Sequence, residues 1–254
     1  MGAGFNRDRK TLLVADTIRS HIKGCVKPLH FLITAGPTRE FLDPIRFISN
    51  RSSGKMGYTL ARAASRHGRV TLVSGPVALK PTADVTVVSV TTAAEMASEV
   101  FRRYRQADVV IMAAAVCDFR PKSPAQRKIK KQKSSRKLEL VPTTDILAEL
   151  GHRKRHQILV GFAAETDHLE RNALDKLRRK NLDLIVANDA RAFESDTNRV
   201  VIIGRDRRKR LPEMSKSKLA HEIVYRSLRL MASKRESLRR LSRSGSLASQ
   251  RASS

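Results

Sequence analysis

The sequence predicts an α/β fold, a Rossmann-like three-layer sandwich with a mostly parallel central sheet. Three observations carry that expectation. Apolar runs of strand length recur along the chain, and amphipathic stretches of helical length separate most of them, which is the pattern of βαβ crossovers. The runs are built from Val, Ile, Leu and Ala: aromatics are 4% of the chain and Trp is absent. Such aliphatic runs suit strands buried on both faces. A hydrophobic share of 41% over 254 residues supplies one large core with tails.

The elements follow in order. Residues 1–29 read as an N-terminal extension, within which LLVADTIRSHI suits a short helix through Leu13, Ile18 and Ile22. The domain proper spans 30–232. HFLITA (30–35) is a buried strand stopped by Gly36-Pro37. A polar loop, 37–54, leads to a helix over 55–67 with Met56, Leu60 and Ala64 one turn apart, ended by Gly68. RVTLVSG (69–75) and TVVSV (86–90) are strands, 92–104 is an amphipathic helix, and DVVIMAAAV (108–116) is the most apolar strand. Thr143 or Thr144 is the expected cap of a helix over 145–151. QILVGFAAE (157–165) is a strand. Asp167 and Glu170 have capping-box spacing before a helix over 168–180. NLDLIVAND (181–189) and RVVIIGR (199–205) are the last strands, and a helix follows over 213–232. The Ser- and Arg-rich tail, 233–254, is expected to be disordered.

The formal net charge is +27. It fits a nucleic-acid-binding surface or an enzyme of highly anionic small molecules with extra basic tails. Cys25 and Cys117 make neither a disulfide framework nor a metal motif, which suits a reducing cytoplasmic compartment. No apolar run reaches the length of a membrane span, and the N-terminus lacks a signal-peptide core.

Doubly wound sheets bind ligands outside the carboxyl ends of their strands. Three loops lie there. The first carries Gly36, Arg39, Asp43, Arg46, Asn50, Arg51, Ser52, Ser53, Gly54 and Lys55. Ser52-Ser53-Gly54 stands where a helix begins, so free amides and the helix dipole favour an anion; a solvated basic loop with a Ser cap is the plainer alternative. The loop is neither GxxxxGK[ST] nor GxGxxG, which speaks against a plain nicotinamide or flavin dehydrogenase. The second loop starts at Asp118, a lone strand-end carboxylate suited to Mg²⁺ beside phosphates. It continues as a flap, 119–138, with nine Lys or Arg and no acid between Asp118 and Glu139. A flap that closes over phosphates and a basic insertion that touches RNA are both open on composition. In the third loop, GFAAET (161–166), Phe162 either stacks on a base or is core, and Glu165 and Thr166 cap a helix.

Taken together, ITAGPTRE (33–40), DPIRFISNRSSGKMG (43–57), AAVCDFRP (114–121), KIKK (128–131), GFAAET (161–166) and KNLDLIVAND (180–189) resemble the synthetase half of the bifunctional coenzyme A biosynthesis proteins. That half is phosphopantothenoylcysteine synthetase, or phosphopantothenate–cysteine ligase. The similarity covers roughly 30–232. In bacteria the module usually follows a flavin-dependent decarboxylase; with fewer than thirty residues before the first strand, neither that domain nor its FMN is expected in this chain.

The resemblance implies a two-step ligation of 4′-phosphopantothenate to cysteine through an acyl-cytidylate. The nucleotide is CTP, favoured over ATP by the SNRSSGKMG and KIKK signatures, and it is used with Mg²⁺. It implies that Ser52, Ser53 and Gly54 cradle phosphates, that Lys128 reaches the triphosphate from the flap, and that Asp118 engages the metal–nucleotide. Ala114, Ala115 and Phe162 would line the nucleotide pocket, to which Gly36 and Phe119 also belong. Asn50 and Arg46 match positions tied to the acyl substrate, so Asn50, Lys128 and Arg46 are the expected catalytic residues. Asn188 and Asp189 match a motif of unassigned role. The resemblance also implies a homodimer, with a separate phosphopantothenoylcysteine decarboxylase as a further partner. Arg51 replaces a common His, and Cys117 a common Ala. The tail has no counterpart and suits weak, salt-sensitive polyanion binding. Two other classes compete: a nucleic-acid-binding protein on the same fold, short of exposed aromatics for stacking, and a short-chain NAD(P)-dependent oxidoreductase, without the glycine fingerprint.

Overall fold

The structure, a computed structural model, describes residues 28–131, 135–165, 167–189, 197–205 and 207–251, with side chains in the last helix described as far as Ser237. The helix expected in the N-terminal extension, and Cys25, lie outside these residues. In chain order the first elements are β1 (His30–Ala35), β2 (Arg39–Phe41), β3 (Phe47–Ser49), α1 (Lys55–Ala64), β4 (Arg69–Ser74), β5 (Val85–Ser89) and α2 (Ala93–Tyr104). Next come β6 (Val109–Met112), β7 (Phe119–Pro121), β8 (Leu140–Pro142), α3 (Ile146–His152), β9 (Ile158–Glu165), α4 (Leu169–Arg179) and β10 (Leu184–Asp189). The last are β11 (Thr197–Asn198), β12 (Val200–Gly204), β13 (Arg208–Arg210), β14 (Met214–Ser215) and α5 (Lys216–Arg251).

The central sheet has eight strands in the order β13-β12-β10-β9-β6-β1-β4-β5. The six from β10 to β5 are parallel; β12 and β13 are antiparallel additions. The chain starts at β1, winds one way through β4 and β5, and returns through α2 to β6 on the other side of β1. The reversal makes the carboxyl ends of β1 and β6 the topological switch point of the sheet.

Alternate residues of each strand feed opposite layers. From β1, Phe31 and Ile33 join Leu60 of α1 and Leu219, Ile223 and Val224 of α5 on one face. Leu32 joins Met96 and Val100 of α2, Leu150 of α3 and Leu177 of α4 on the other. Each fully buried Leu or Ile contributes about 1.5–3 kcal/mol relative to exposure. Helix α1 lies flush on β1 because Gly57 has no side chain: a Cβ there would sit 2.5 Å from the Cβ of Ala35. That contact sets the amino end of α1 beside the carboxyl end of β1.

Four details depart from the sequence reading. Strand β6 ends at Met112, because residues 113–117 leave the sheet to bond with the loop after β1. Asp145, not Thr143 or Thr144, caps α3 by accepting from the Ala148 N–H at 3.0 Å. The expected capping box on α4 does not form: its N-cap is His168, at φ 47° and without a side-chain cap bond. Glu170 instead turns to Arg208 and Arg210 of β13; Thr166 and the Glu165 side chain lie outside the described residues. Finally, the segment expected to be a disordered tail continues α5 without a break as far as Arg251. Arg235 bonds Asp108 at 2.9 Å and Lys234 bonds the Arg155 carbonyl at 3.1 Å. Both contacts lie at the amino ends of the strands, so the extension leaves the domain at the pole opposite the switch point. Among the described residues no helix is long and apolar enough to cross a membrane.

Tyr104 ties the α2–α3 side together by donating to the Leu150 carbonyl at 3.0 Å. Burial, with help from the Asp183 charge, pushes its phenol up to about 12. The raised value favours the protonated folded state, so its contribution is complete below the free phenol value near 10 and is lost as pH rises from there towards 12. Ultraviolet titration should show a late phenol ionisation, and Tyr104→Phe should remove that step together with the matching loss of stability above about pH 10.

Candidate functional site

At the switch point the loops after β1 and β6 bond directly to each other. Ala115 N–H donates to the Gly36 carbonyl at 2.9 Å, and Thr38 N–H donates to the Ala115 carbonyl at 3.3 Å. The buried Thr38 hydroxyl accepts the Cys117 N–H at 2.9 Å. Asn50 spans the junction, donating from Nδ2 to the carbonyls of Ala115 (3.3 Å) and Val116 (2.9 Å). Thr143 closes the far side, its hydroxyl donating to the Cys117 carbonyl at 2.6 Å. Gly36, Ala115 and Asn50, far apart in sequence, therefore form one unit.

Glycine makes the junction tight. Gly36 and Gly54 have φ of 74° and 75°, a region that disfavours other residues. A Cβ on Gly54 would sit 2.9 Å from Val77, and one on Gly75 would sit 1.7 Å from the Pro37 carbonyl oxygen. Gly54 is the N-cap of α1 and gives it no side-chain cap; the Ser52 and Ser53 hydroxyls instead accept the amides of Gly54 and Lys55 at 3.3 and 3.4 Å. The sequence reading leaves these amides free for an anion; here the two serines already accept them, and the helix dipole is what favours negative charge at this corner.

A cleft opens beside this junction, lined by Ala114, Val116, Asp118, Thr143, Thr144, Asp145, Phe162, Lys176 and Lys180, among others. It gathers Ala114, Asp118 and Phe162 as expected. Phe162 packs against the core, the plainer of the two readings above, and also faces the cleft. Two lysines were missed. Lys176 donates to the Phe162 carbonyl at 3.0 Å, and Lys180 pairs with Asp145 at 2.6 Å. Asp145 is partly buried, but the bonds from Lys180 and the Ala148 amide outweigh that burial and lower its pKa. The signal was present: Lys176 lies in the last turn of α4 and Lys180 is its C-cap residue, four positions on, and both line the cleft.

Other expected residues stand outside the cleft. Phe119 is 52% exposed at the start of β7 and does not line it. Lys128 is exposed on the flap. Arg46 pairs with Asp43, which also accepts the Ile129 N–H from the flap at 3.0 Å. The Arg46 guanidinium holds the Asp43 carboxyl far below the usual carboxylate range, against the opposing effect of burial. The depressed value means this pairing is complete above the free carboxyl value near 4 and weakens only as pH falls below it. Burial pushes the Cys117 thiol up, and its Sγ faces the Thr38 and Ile48 carbonyls, so it acts as packing. Among the described residues no three His, Cys, Asp or Glu gather into a metal site. Asp118 alone suits Mg²⁺, which commonly takes one carboxylate and fills its other positions with phosphates and water.

Fold and cleft together define a doubly wound α/β protein whose cleft opens at the switch point of its sheet. Residues 26–230 match the DNA/pantothenate metabolism flavoprotein C-terminal domain, and the chain belongs to that family. It is 52% identical over 202 residues to the coenzyme A biosynthesis bifunctional protein CoaBC of Bacillus subtilis, a match covering 77% of this chain and 50% of that protein. The chain thus spans about half the length of this relative. The crystal structure of the C-terminal domain of a CoaBC protein superposes with a TM-score of 0.71 at 43% identity, covering 82% of this chain and 97% of that one. A Cab2 mutant in complex with phosphopantothenate-cysteine shares the fold, with a TM-score of 0.70 at 17% identity, covering 92% of this chain and 97% of that one.

The Thr38 bond can be tested alone. Thr38→Val keeps the shape but removes the acceptor of the buried Cys117 N–H. Leaving such a group unpaired costs about 1–3 kcal/mol, so the urea midpoint should fall by the equivalent amount with an unchanged slope.

Proposed function

We propose that this chain is a phosphopantothenate–cysteine ligase of coenzyme A biosynthesis. The observation that carries the reading is the match to the C-terminal domain of CoaBC over nearly the whole of that domain. The cleft supplies what the chemistry needs. A carboxylate is a poor electrophile, so it is first activated. A carboxylate oxygen of 4′-phosphopantothenate attacks the α-phosphorus of CTP, the bond to the β-phosphate breaks, and pyrophosphate leaves. The amino nitrogen of cysteine then attacks the acyl carbon and loses its proton, and CMP departs to leave an amide. CTP is preferred to ATP on the motif resemblance.

Negative charge grows on the departing phosphates, and fixed cations stabilise it best when preorganised. In this reading Lys176 and Lys180 face the nucleotide, Gly36, Ser52, Ser53 and Gly54 hold phosphate at the amino end of α1, and Lys128 closes from the flap. Asn50, fixed on the Ala115 and Val116 carbonyls, orients the acyl substrate with Arg46. Asp118 would hold Mg²⁺, which supplies charge neutralisation to the triphosphate. A cytoplasmic location follows from these substrates.

A homodimer fits the surface. The large hydrophobics exposed among the described residues are Phe41, Ile45, Phe47, Phe119, Leu138 and Leu140. They lie on or beside the β2–β3 and β7–β8 ribbons. Phe41 and Phe47 stack edge to face there, with Arg39 over the Phe47 ring. Apolar exposure confined to one place marks an interface, and an isologous contact through it would bring two acyl-substrate loops together.

Two measurements test these readings. Pyrophosphate release should require phosphopantothenate and CTP but not cysteine; release of orthophosphate instead would sink the mechanism. Lys128→Gln should slow it by about 10²–10³, while Lys137→Gln in the same flap changes it little. Replacing Ile45 and Leu140 together with Asp should yield a monomer in sedimentation; a dimer that persists would place the interface elsewhere.

A further inference from the structure

Asp43 has no part in the chemistry above, yet its carboxylate is fully enclosed. Oδ1 accepts the amides of Ile45 and Arg46 at 2.9 and 2.8 Å, bonds that shape the turn 43–46. Oδ2 faces elsewhere. It accepts Nε and Nη2 of Arg46 and, at 3.0 Å, the Ile129 N–H from a segment 86 residues later. Arg46 Nη2 also donates to the Ile129 carbonyl at 2.6 Å. Both polar groups of Ile129 are thus held by one ion pair. A second bond, from the Ala125 N–H to the Leu42 carbonyl at 2.9 Å, lays the segment 125–129 along the same loop.

Lys128 is the residue before Ile129. The flap has no acid between Asp118 and Glu139, so a carboxylate that fixes its backbone must come from another element. We infer that Asp43 is a positioning residue: by clamping Ile129, with Arg46, it fixes the flap backbone beside Lys128 and so sets where that lysine is presented. The role assigned to Lys128 rests on the ligase reading; the clamp itself does not. Charge-assisted bonds of this kind are stronger than neutral ones, and they also give Arg46 a structural task beside any contact with substrate.

Asp43→Asn isolates the long-range half of the clamp. Its amide oxygen can still serve the turn, while the amide nitrogen replaces the acceptor that meets Ile129 and Arg46. Trypsin, without nucleotide, should cut this variant after Arg127, Lys128 and Lys130 much faster than the wild type, as read by mass spectrometry. A 1 Å misplacement can cost about 10²-fold in rate, and pyrophosphate release should fall by that order. In a Lys128→Gln background the same change should cost clearly less than in the wild type, because the part of the loss that runs through that lysine is already gone. If the losses add, or the trypsin pattern is unchanged, Asp43 only shapes its turn and the inference is overturned. If Asp43→Asn does not fold, Asp43→Ser, whose hydroxyl also caps a local turn, is read the same way. A wild-type protein that releases no pyrophosphate with any nucleotide would refute the ligase reading, and the trypsin comparison alone would then decide the clamp.

Discussion

Where the winding of a parallel sheet reverses, two neighbouring strands send their loops apart, and the backbone groups at the parting must find partners. Here they find each other. The loop after β1 and the loop after β6 exchange bonds through Gly36, Thr38 and Ala115, and Asn50 and Thr143 cover the carbonyls left over. Buried amides and carbonyls tolerate no other arrangement at low cost. The placement of the site depends on this junction. It turns Ala114 and Asp118 into the cleft, it fixes Asn50, and it leaves only glycine room at positions 36 and 75.

The few acids of this cationic chain act largely as organisers. Asp43 joins the flap to the first loop, Asp145 holds Lys180 at the cleft, Glu170 ties α4 to β13, and Asp183 pairs with the half-buried Lys154. Burial lowers the Lys154 pKa against the pull of Asp183, and Arg205 and Lys234 nearby add repulsion. That crowding marks a second concentration of positive charge at the amino-end pole, where α5 carries its basic extension outward. From Lys216 to Arg235 the helix rises about 28 Å. The excess charge is thus divided between a flap beside the cleft and the opposite pole of the sheet, and at physiological ionic strength only the first is near enough to act on an anion in the cleft.

Much of this was legible in the sequence because it is local. Strand-length aliphatic runs marked the eight-stranded sheet apart from β13, and periodicity together with cap signals placed the five helices of the described residues within a few residues at most ends. The turn glycines at 36 and 54 announced themselves by residue type, since a left-handed φ demands it. The extension of α5 was misread for the same reason: its Ser- and Arg-rich composition suggested no core to bury, and composition does not register a helix continued from a packed turn upstream.

What the tertiary structure alone decided is which distant groups meet. The ribbons β2–β3 and β7–β8 are three residues per strand, too short for any periodicity, and exist because their partners are close. Beyond their spacing, Lys176 and Lys180 carry no signal of their own until α4 packs beside β9 and turns them to Phe162 and Asp145. Arg46 read as a substrate contact, and its carboxylate and the flap carbonyl emerged only in three dimensions. Within an element, hydrogen bonding repeats on a fixed period that a sequence displays. Between elements, a carboxylate selects its cation by position in space, and the sequence records the charges without recording the distance.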